Sequence, residues 1–184
     1  MKILAIVGSP RINGNTNYLI DAALDEAKKL GAETEKIILS QYNVQPCQGH
    51  DDCAELAVCP QKDDTAWILD KFIAADAVIL GVPVYYYNVT AQMKAFIDRN
   101  YFIYNKYPRV KAKAVGYIVV AHSSGMEETV QALHNFVDWS LRVPRNKRLV
   151  MKAYAGVIGD AESKPQLEQD ARKLGRQLMA GLKG

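Results

Sequence analysis

Five short apolar runs, each followed by a stretch of helical spacing, constrain this 184-residue chain more than any other feature. Ile3-Leu4-Ala5-Ile6-Val7 has no polar alternation and stops at Gly8, which suits a strand buried on both faces of a parallel sheet. The same reading holds for Ala77–Val82, stopped by Pro83, for Ala114–Ala121 and for Leu149–Ile158; Glu33–Leu39 alternates less cleanly, with Ile37-Ile38-Leu39 as its apolar end. Between the runs, Asn15-Thr16 starts a helix with Leu19, Ile20, Ala23, Leu24, Ala27 and Leu30 on one face and Gly31 just past its end. Helical spacing returns over Thr65–Ala75, Thr90–Tyr101, Glu127–Leu141 and Pro165–Leu182. Strand and helix in alternation predict an α/β, doubly wound three-layer sandwich: a five-stranded parallel sheet of order 2-1-3-4-5 with helices on both faces. Residues 1–184 read as one domain, with a polar, cysteine-containing insertion at about 40–64.

Charge narrows the partners. With 23 basic and 20 acidic side chains the chain carries +3, and no dense Lys/Arg block, so nucleic acid is not expected. The apolar runs are too short for a signal-peptide core or a membrane span. Three cysteines are an odd count, which points to cytosolic thiols rather than a disulfide framework and to a cytoplasmic protein.

In open parallel sheets ligands sit beyond the carboxyl ends of the strands where strand order reverses, here between the first and third strands. The loop after the first strand, Gly8-Ser9-Pro10-Arg11-Ile12-Asn13-Gly14-Asn15-Thr16, opens a helix and holds hydroxyls, amides and one arginine. It lacks both the dinucleotide fingerprint and the Walker pattern and suits a single phosphate; the plainer reading is a turn with a capped helix. The loop after the third strand, Pro83-Val84-Tyr85-Tyr86-Tyr87-Asn88, places three tyrosines where rings pack on a flat heterocycle, with Tyr85 and Tyr86 as the candidates for ring contact. The loop after the fourth, His122-Ser123-Ser124-Gly125, lets backbone approach a ligand closely, with His122 either at a ring or substrate or in solvent.

Gly8-Ser9-Pro10-Arg11 with Gly14-Asn15-Thr16, then Pro83-Val84-Tyr85-Tyr86 with Gln92-Met93-Lys94 and Ile97-Asp98-Arg99, resemble the NADPH-dependent FMN reductase-like branch of the flavodoxin superfamily. The resemblance implies a flavodoxin-like flavoprotein that binds FMN and assembles as a homodimer or homotetramer. It assigns Ser9, Arg11, Asn15 and Thr16 to the phosphate, with Asn13 beside them, and Pro83, Val84, Tyr85, Tyr86 and Asn88 to the flavin ring. His122, Ser123 and Gly125 would close the ring's other edge. The flavin would carry the redox chemistry, so no side chain is named as catalytic. NAD(P)H is the expected donor, and the expected partner is a small-molecule acceptor, such as a flavin or quinone, or a redox protein. The segment Tyr101–Tyr107 with the helix before it is expected to form a dimer contact or to border a neighbouring subunit's flavin.

The insertion departs from a related group. Iron–sulfur flavoproteins carry a compact four-cysteine run in this loop; here the run reads Cys47-x2-His50-x2-Cys53-x5-Cys59, with histidine at its second position. Free thiols are the favoured reading. Cys47, His50, Cys53 and Cys59 remain the candidate ligands for an iron–sulfur cluster, or for zinc, and a cluster would favour an electron carrier docking on redox proteins.

Overall fold

The computed structural model describes residues 1–51, 53, 55–104 and 110–183. Its five strands are β1 (Lys2–Val7), β2 (Glu33–Ile38), β3 (Ala77–Pro83), β4 (Ala114–Ala121) and β5 (Arg148–Tyr154), all parallel and ordered β2-β1-β3-β4-β5. The helices are α1 (Asn15–Lys29), α2 (Thr65–Ala74), α3 (Ala91–Arg99), α4 (Tyr101–Tyr104), α5 (Met126–Trp139) and α6 (Pro165–Lys183). The doubly wound reading of the sequence therefore holds.

The two-residue period of a strand divides the core in two. Ile3, Ala5, Val7, Ile79 and Ile118 face α1 and α6, while Leu4, Ile6, Leu80, Tyr117 and Val119 face α2, α3 and α5. On the second face Phe72, Phe96 and Phe136 pack ring to ring at 5.3–6.2 Å, which ties α2, α3 and α5 together. On the first face α1 and α6 touch so closely that a Cβ at Gly175 would lie 2.2 Å from the Ala23 carbonyl oxygen, so only glycine fits.

Element ends shift by one to four residues from the sequence reading, and two of these shifts change the architecture. β5 ends at Tyr154, not Ile158, because the chain bends at Val157 and turns over 158–160, with Gly159 at φ +90°. The helix expected over Thr90–Tyr101 ends at Arg99, and a separate turn, α4, follows. Among the described residues no helix is long and apolar enough to cross a membrane.

Candidate functional site

The loops after β1, β3 and β4 meet at the carboxyl edge of the sheet, and the loop after β5 joins them. Together they line a cleft of about 210 Å³ containing Ser9, Arg11, Gly14, Asn15, Thr16, Pro83, Val84, Tyr85, Val120, His122, Ala155, Gly156 and Ile158. Among the described residues no carboxylate lines it. A more apolar groove of about 450 Å³ lies elsewhere, between α3 and α5; the one charged residue lining it among the described residues, Asp98, is paired with Lys94.

The first loop is held by its own polar groups. The Ser9 hydroxyl accepts from the Arg11 amide and donates to the Arg11 carbonyl, both at 3.2 Å. That carbonyl also takes the Gly14 amide at 3.1 Å and the Asn17 side chain at 3.0 Å. Thr90, buried, donates its hydroxyl to the Gly8 carbonyl at 2.6 Å and accepts the Met93 amide at 3.2 Å, so it caps α3 and fastens the first loop to the second. α1 is different. Its cap position is Gly14, with no side-chain cap bond. Its first amides have no partner within the helix, and the residues that start it, Gly14, Asn15 and the buried Thr16, line the cleft.

Asn15 has another task. Its side-chain amide donates to the carbonyls of Ala155 (3.3 Å) and Val157 (2.7 Å), and its oxygen accepts the Ala161 amide at 3.1 Å. The side chain pins the loop after β5 against the cleft and leaves its backbone amide for a ligand. The same loop is closed by Asp160, whose carboxylate takes the amides of Gly156 and Val157. Those amides, Val157 first, hold the Asp160 carboxyl below the usual carboxylate range. The apolar spacing that extends the fifth strand to Ile158 in sequence hides this fourth loop, since β5 ends at Tyr154. Gly156 and Gly159-Asp160 were its signal. At Gly156 a Cβ would lie 2.1 Å from His122 Cδ2, so the His122 ring rests on bare backbone.

The tyrosine loop is a two-residue hairpin. Tyr85 and Asn88 exchange both backbone hydrogen bonds, at 2.9 and 3.0 Å, around Tyr86 and Tyr87. Both central residues have positive φ, +47° and +62°. A turn of this kind favours Asn-Gly, and an L residue with a Cβ pays about 1–2 kcal/mol to adopt it. Tyr85 lines the cleft; Tyr86 is fully exposed at 101% and does not. Gly125, at φ +79°, lets the β4 loop close on the hairpin, since a Cβ there would lie 2.8 Å from Tyr87 Cα. The cleft thus gathers Ser9, Arg11, Asn15, Thr16, Pro83, Val84, Tyr85 and His122 of the residues expected from the sequence. Asn13 lines an adjoining hollow, and Asn88, exposed, faces a separate one. Tyr86, Ser123 and Gly125 lie beyond the cleft lining, Gly125 supporting the hairpin.

The insertion is closed at its base by a different device. Asp64 accepts the Asn43 amide and Asp63 the Gln45 amide, so the two ends of the loop meet. Arg99, with its side chain 2% exposed, reaches from the end of α3 to pair with Asp63 (1% exposed), the Gln45 carbonyl at 3.1 Å and Cys59 Sγ at 3.4 Å. Burial pushes the Asp63 carboxyl up, but Arg99 and the Gln45 and Thr65 amides outweigh it and hold the group below its ordinary value. Asp98 and Arg99 therefore do not form one ion pair: Asp98 meets Lys94 in solvent and Arg99 turns inward. Cys53 is buried and Cys47 and Cys59 half-buried. The donor set suits a cluster chemically. As folded, however, no group of three or more Cys, His, Asp or Glu is gathered to hold a metal among the described residues.

A 2-1-3-4-5 parallel sheet with an uncapped helix at its switch point defines a flavodoxin-like α/β protein. A solved NAD(P)H:quinone oxidoreductase from Methanothermobacter marburgensis has the same fold, with a TM-score of 0.75 at 18% identity over 97% of this chain and 96% of that one. Residues 1–155 match the family described as NADPH-dependent FMN reductase, and the chain belongs to that family. It is an FMN-dependent oxidoreductase that works with NAD(P)H. The chain is similar to an iron–sulfur flavoprotein of Archaeoglobus fulgidus, 40% identical over 89% of this chain and 74% of the relative. It is likewise similar to one of Methanocaldococcus jannaschii, 41% identical over 74% and 71%.

Proposed function

We propose that FMN lies along the carboxyl edge of the sheet, its phosphate on the 9–16 loop and its ring beside Pro83, Val84 and Tyr85. One observation carries this reading: the N-terminus of α1, without a side-chain cap, lies at a cleft that no carboxylate lines among the described residues. A dianionic phosphate fits there, because it satisfies the amides that Gly14 leaves uncapped and faces the positive end of the helix. The backbone amides of Asn15 and Thr16 and the Thr16 hydroxyl donate to the phosphate, and Arg11 adds charge. Tyr85 and Val84 provide apolar surface for the ring, and His122 closes the opposite edge. Held by these residues, FMN would supply the redox chemistry, hydride acceptance from NAD(P)H and electron donation to a flavin, a quinone or a redox protein, and no protein acid or base would be needed for the hydride step.

The whole chain acts as one domain with its insertion, in the cytoplasm. It assembles as a homodimer or a pair of dimers through α3, α5 and the exposed Tyr101 and Trp139, which flank the apolar groove. Of the segment expected at this contact, 105–107 lies outside the described residues. A monomer in light scattering would exclude that assembly.

A second reading, an iron–sulfur electron carrier, is favoured by the names of the relatives and the Cys47–Cys59 spacing; iron analysis on anaerobically purified protein separates the two. The cofactor site itself is tested by titrating apoprotein with FMN and with riboflavin, which lacks the phosphate. Thr16→Val and Arg11→Ala are expected to weaken FMN by about tenfold each, as for hydrogen bonds to a charged group, and to leave riboflavin unchanged. Equal affinity for FMN and riboflavin in the unaltered protein would show that the loop is only a turn.

A further inference from the structure

We propose that the 85–88 hairpin is an aromatic platform for the second reactant, with Tyr86 as the stacking residue and Tyr87 as the residue that fixes its aim. The proposal rests on FMN occupying the cleft, because the hairpin borders that cleft through Tyr85.

Three observations carry it. First, the hairpin is rigid. Its base continues the sheet through the Val84 amide on the Val120 carbonyl at 2.7 Å, and its two cross bonds leave only Tyr86 and Tyr87 in the turn. Second, the turn is strained at both positions, with φ of +47° and +62° on residues that carry a Cβ. Asn-Gly would fold the same turn at ease, so nothing in the fold itself asks for two tyrosines. Third, the two rings have different surroundings. Tyr87, 57% exposed, lies against the β4 loop, where Gly125 leaves room for its Cα and its hydroxyl makes a long contact, accepting from Ser124 Oγ at 3.4 Å. Tyr86 is wholly exposed, at 101%, although it adjoins the cleft-lining Tyr85 in sequence.

A large ring exposed to water on a strained turn whose backbone is held by cross bonds is costly for stability and well suited to recognition: tyrosine has only two side-chain dihedrals to fix when a flat partner stacks on it. The hairpin carries no charge, so what it recognises is a planar aromatic face rather than a phosphate or carboxylate. The two reactants of a flavin-dependent reaction that share this chemistry are the nicotinamide of the donor and a quinone or flavin acceptor. Both must approach the flavin in turn, and a platform at the mouth of the cleft serves either.

The experiment uses FMN-loaded protein and binding rather than turnover. Affinities for NADP⁺ and for a naphthoquinone are measured by calorimetry on the unaltered protein, Tyr86→Ala, Tyr86→Phe and the double variant Tyr86→Asn with Tyr87→Gly. FMN affinity, melting temperature and oligomeric state are recorded for each. Tyr86→Ala should weaken at least one ring ligand by about 5–10-fold, the size of one aromatic stack, with FMN affinity unchanged, and Tyr86→Phe should restore it. The double variant should lose the same ring affinity yet melt higher by about 3–6 °C, because its turn is relaxed. Loss confined to NADP⁺ assigns the platform to the donor, and loss confined to the quinone assigns it to the acceptor. Unchanged affinity for both overturns the proposal. So does an equal loss of FMN, which would make Tyr86 a flavin contact, or dissociation of the oligomer with ring binding intact, which would give Tyr86 to a second copy. An unaltered apoprotein that takes up no FMN would instead overturn the cofactor reading, and the platform with it.

Discussion

The cleft and the cysteine insertion are both loops at the periphery of one sheet, yet they are held by opposite chemistry. Around the cleft, neutral side chains hold backbone: Ser9 locks Arg11, Thr90 takes the Gly8 carbonyl, and Asn15 spans to Ala155, Val157 and Ala161. Among the described residues the one carboxylate supporting the cleft loops is Asp160, on the rim. The insertion is closed by charge, with Asp63 and Asp64 on backbone amides and the buried Arg99–Asp63 pair across the base. A site built to receive a phosphate cannot afford carboxylates pointing into it, whereas a loop that must merely stay closed can use them. The difference makes the two regions vulnerable to different perturbations.

Arg99→Ala should produce the largest effect. It leaves Asp63 buried without its counter-charge, which costs about 3–5 kcal/mol, and frees Cys59 and Gln45 from their common anchor. Urea denaturation should show the loss, and thiol labelling should show Cys59 exposed. Acid should act in the same direction. Asp63 has a folded value below its unfolded one, so the stability it confers is complete above about pH 4 and is lost as pH falls through the depressed folded value. Labelling with a disulfide reagent that works in acid should detect the insertion opening before far-ultraviolet ellipticity changes. Simultaneous loss of both would mean that the two regions unfold as one unit.

Asn15→Ala comes next. Three hydrogen bonds to the loop after β5 disappear, and the Ala155 and Val157 carbonyls are left to water; about 1–3 kcal/mol is expected, because the site is partly open. FMN affinity should fall with it, although the side chain points away from the phosphate position, since the loop it pins forms one wall of the cleft. Thr90→Val should cost about 1–2 kcal/mol by removing the α3 cap and the bond to Gly8 together. Neither variant should alter Cys59 labelling. If either does, α3, which touches both regions, couples them.

Those partners explain what was legible in the sequence. The sheet was, because unbroken apolar runs such as Ile3–Val7 and Ala114–Ala121 are a local signal, and so were three of the four cleft loops, which follow such runs directly. The loop after β5 was hidden. Val157 and Ile158 extend an apolar run past Tyr154, yet they are exposed, and only tertiary pinning by Asn15, about 140 residues away in the chain, turns the backbone there. Asn15 illustrates the same limit from the other side: its position at a helix start marks it as a ligand donor, while its bonds lie in a loop that sequence spacing does not reveal. The choice between Tyr85 and Tyr86 depended on turn geometry, and consecutive identical residues carry no information about which one faces the cleft.

The smallest expected effect tests the contrast at its narrowest point, two adjacent residues on α3. Asp98 and Arg99 look like one ion pair in sequence, but successive helical positions point about 100° apart and cannot face each other. Asp98 meets Lys94 one turn earlier, with both side chains roughly half exposed. Such a pair is worth only about 0.3–0.5 kcal/mol and is screened by salt. Asp98→Asn should therefore shift the urea midpoint barely beyond error, and the shift should vanish at high salt, while the Arg99→Ala loss persists there because its partner is out of reach of ions. If Asp98→Asn instead costs as much as Arg99→Ala, or if salt erases both, then burial is not what separates them, and the insertion is held by surface charge after all.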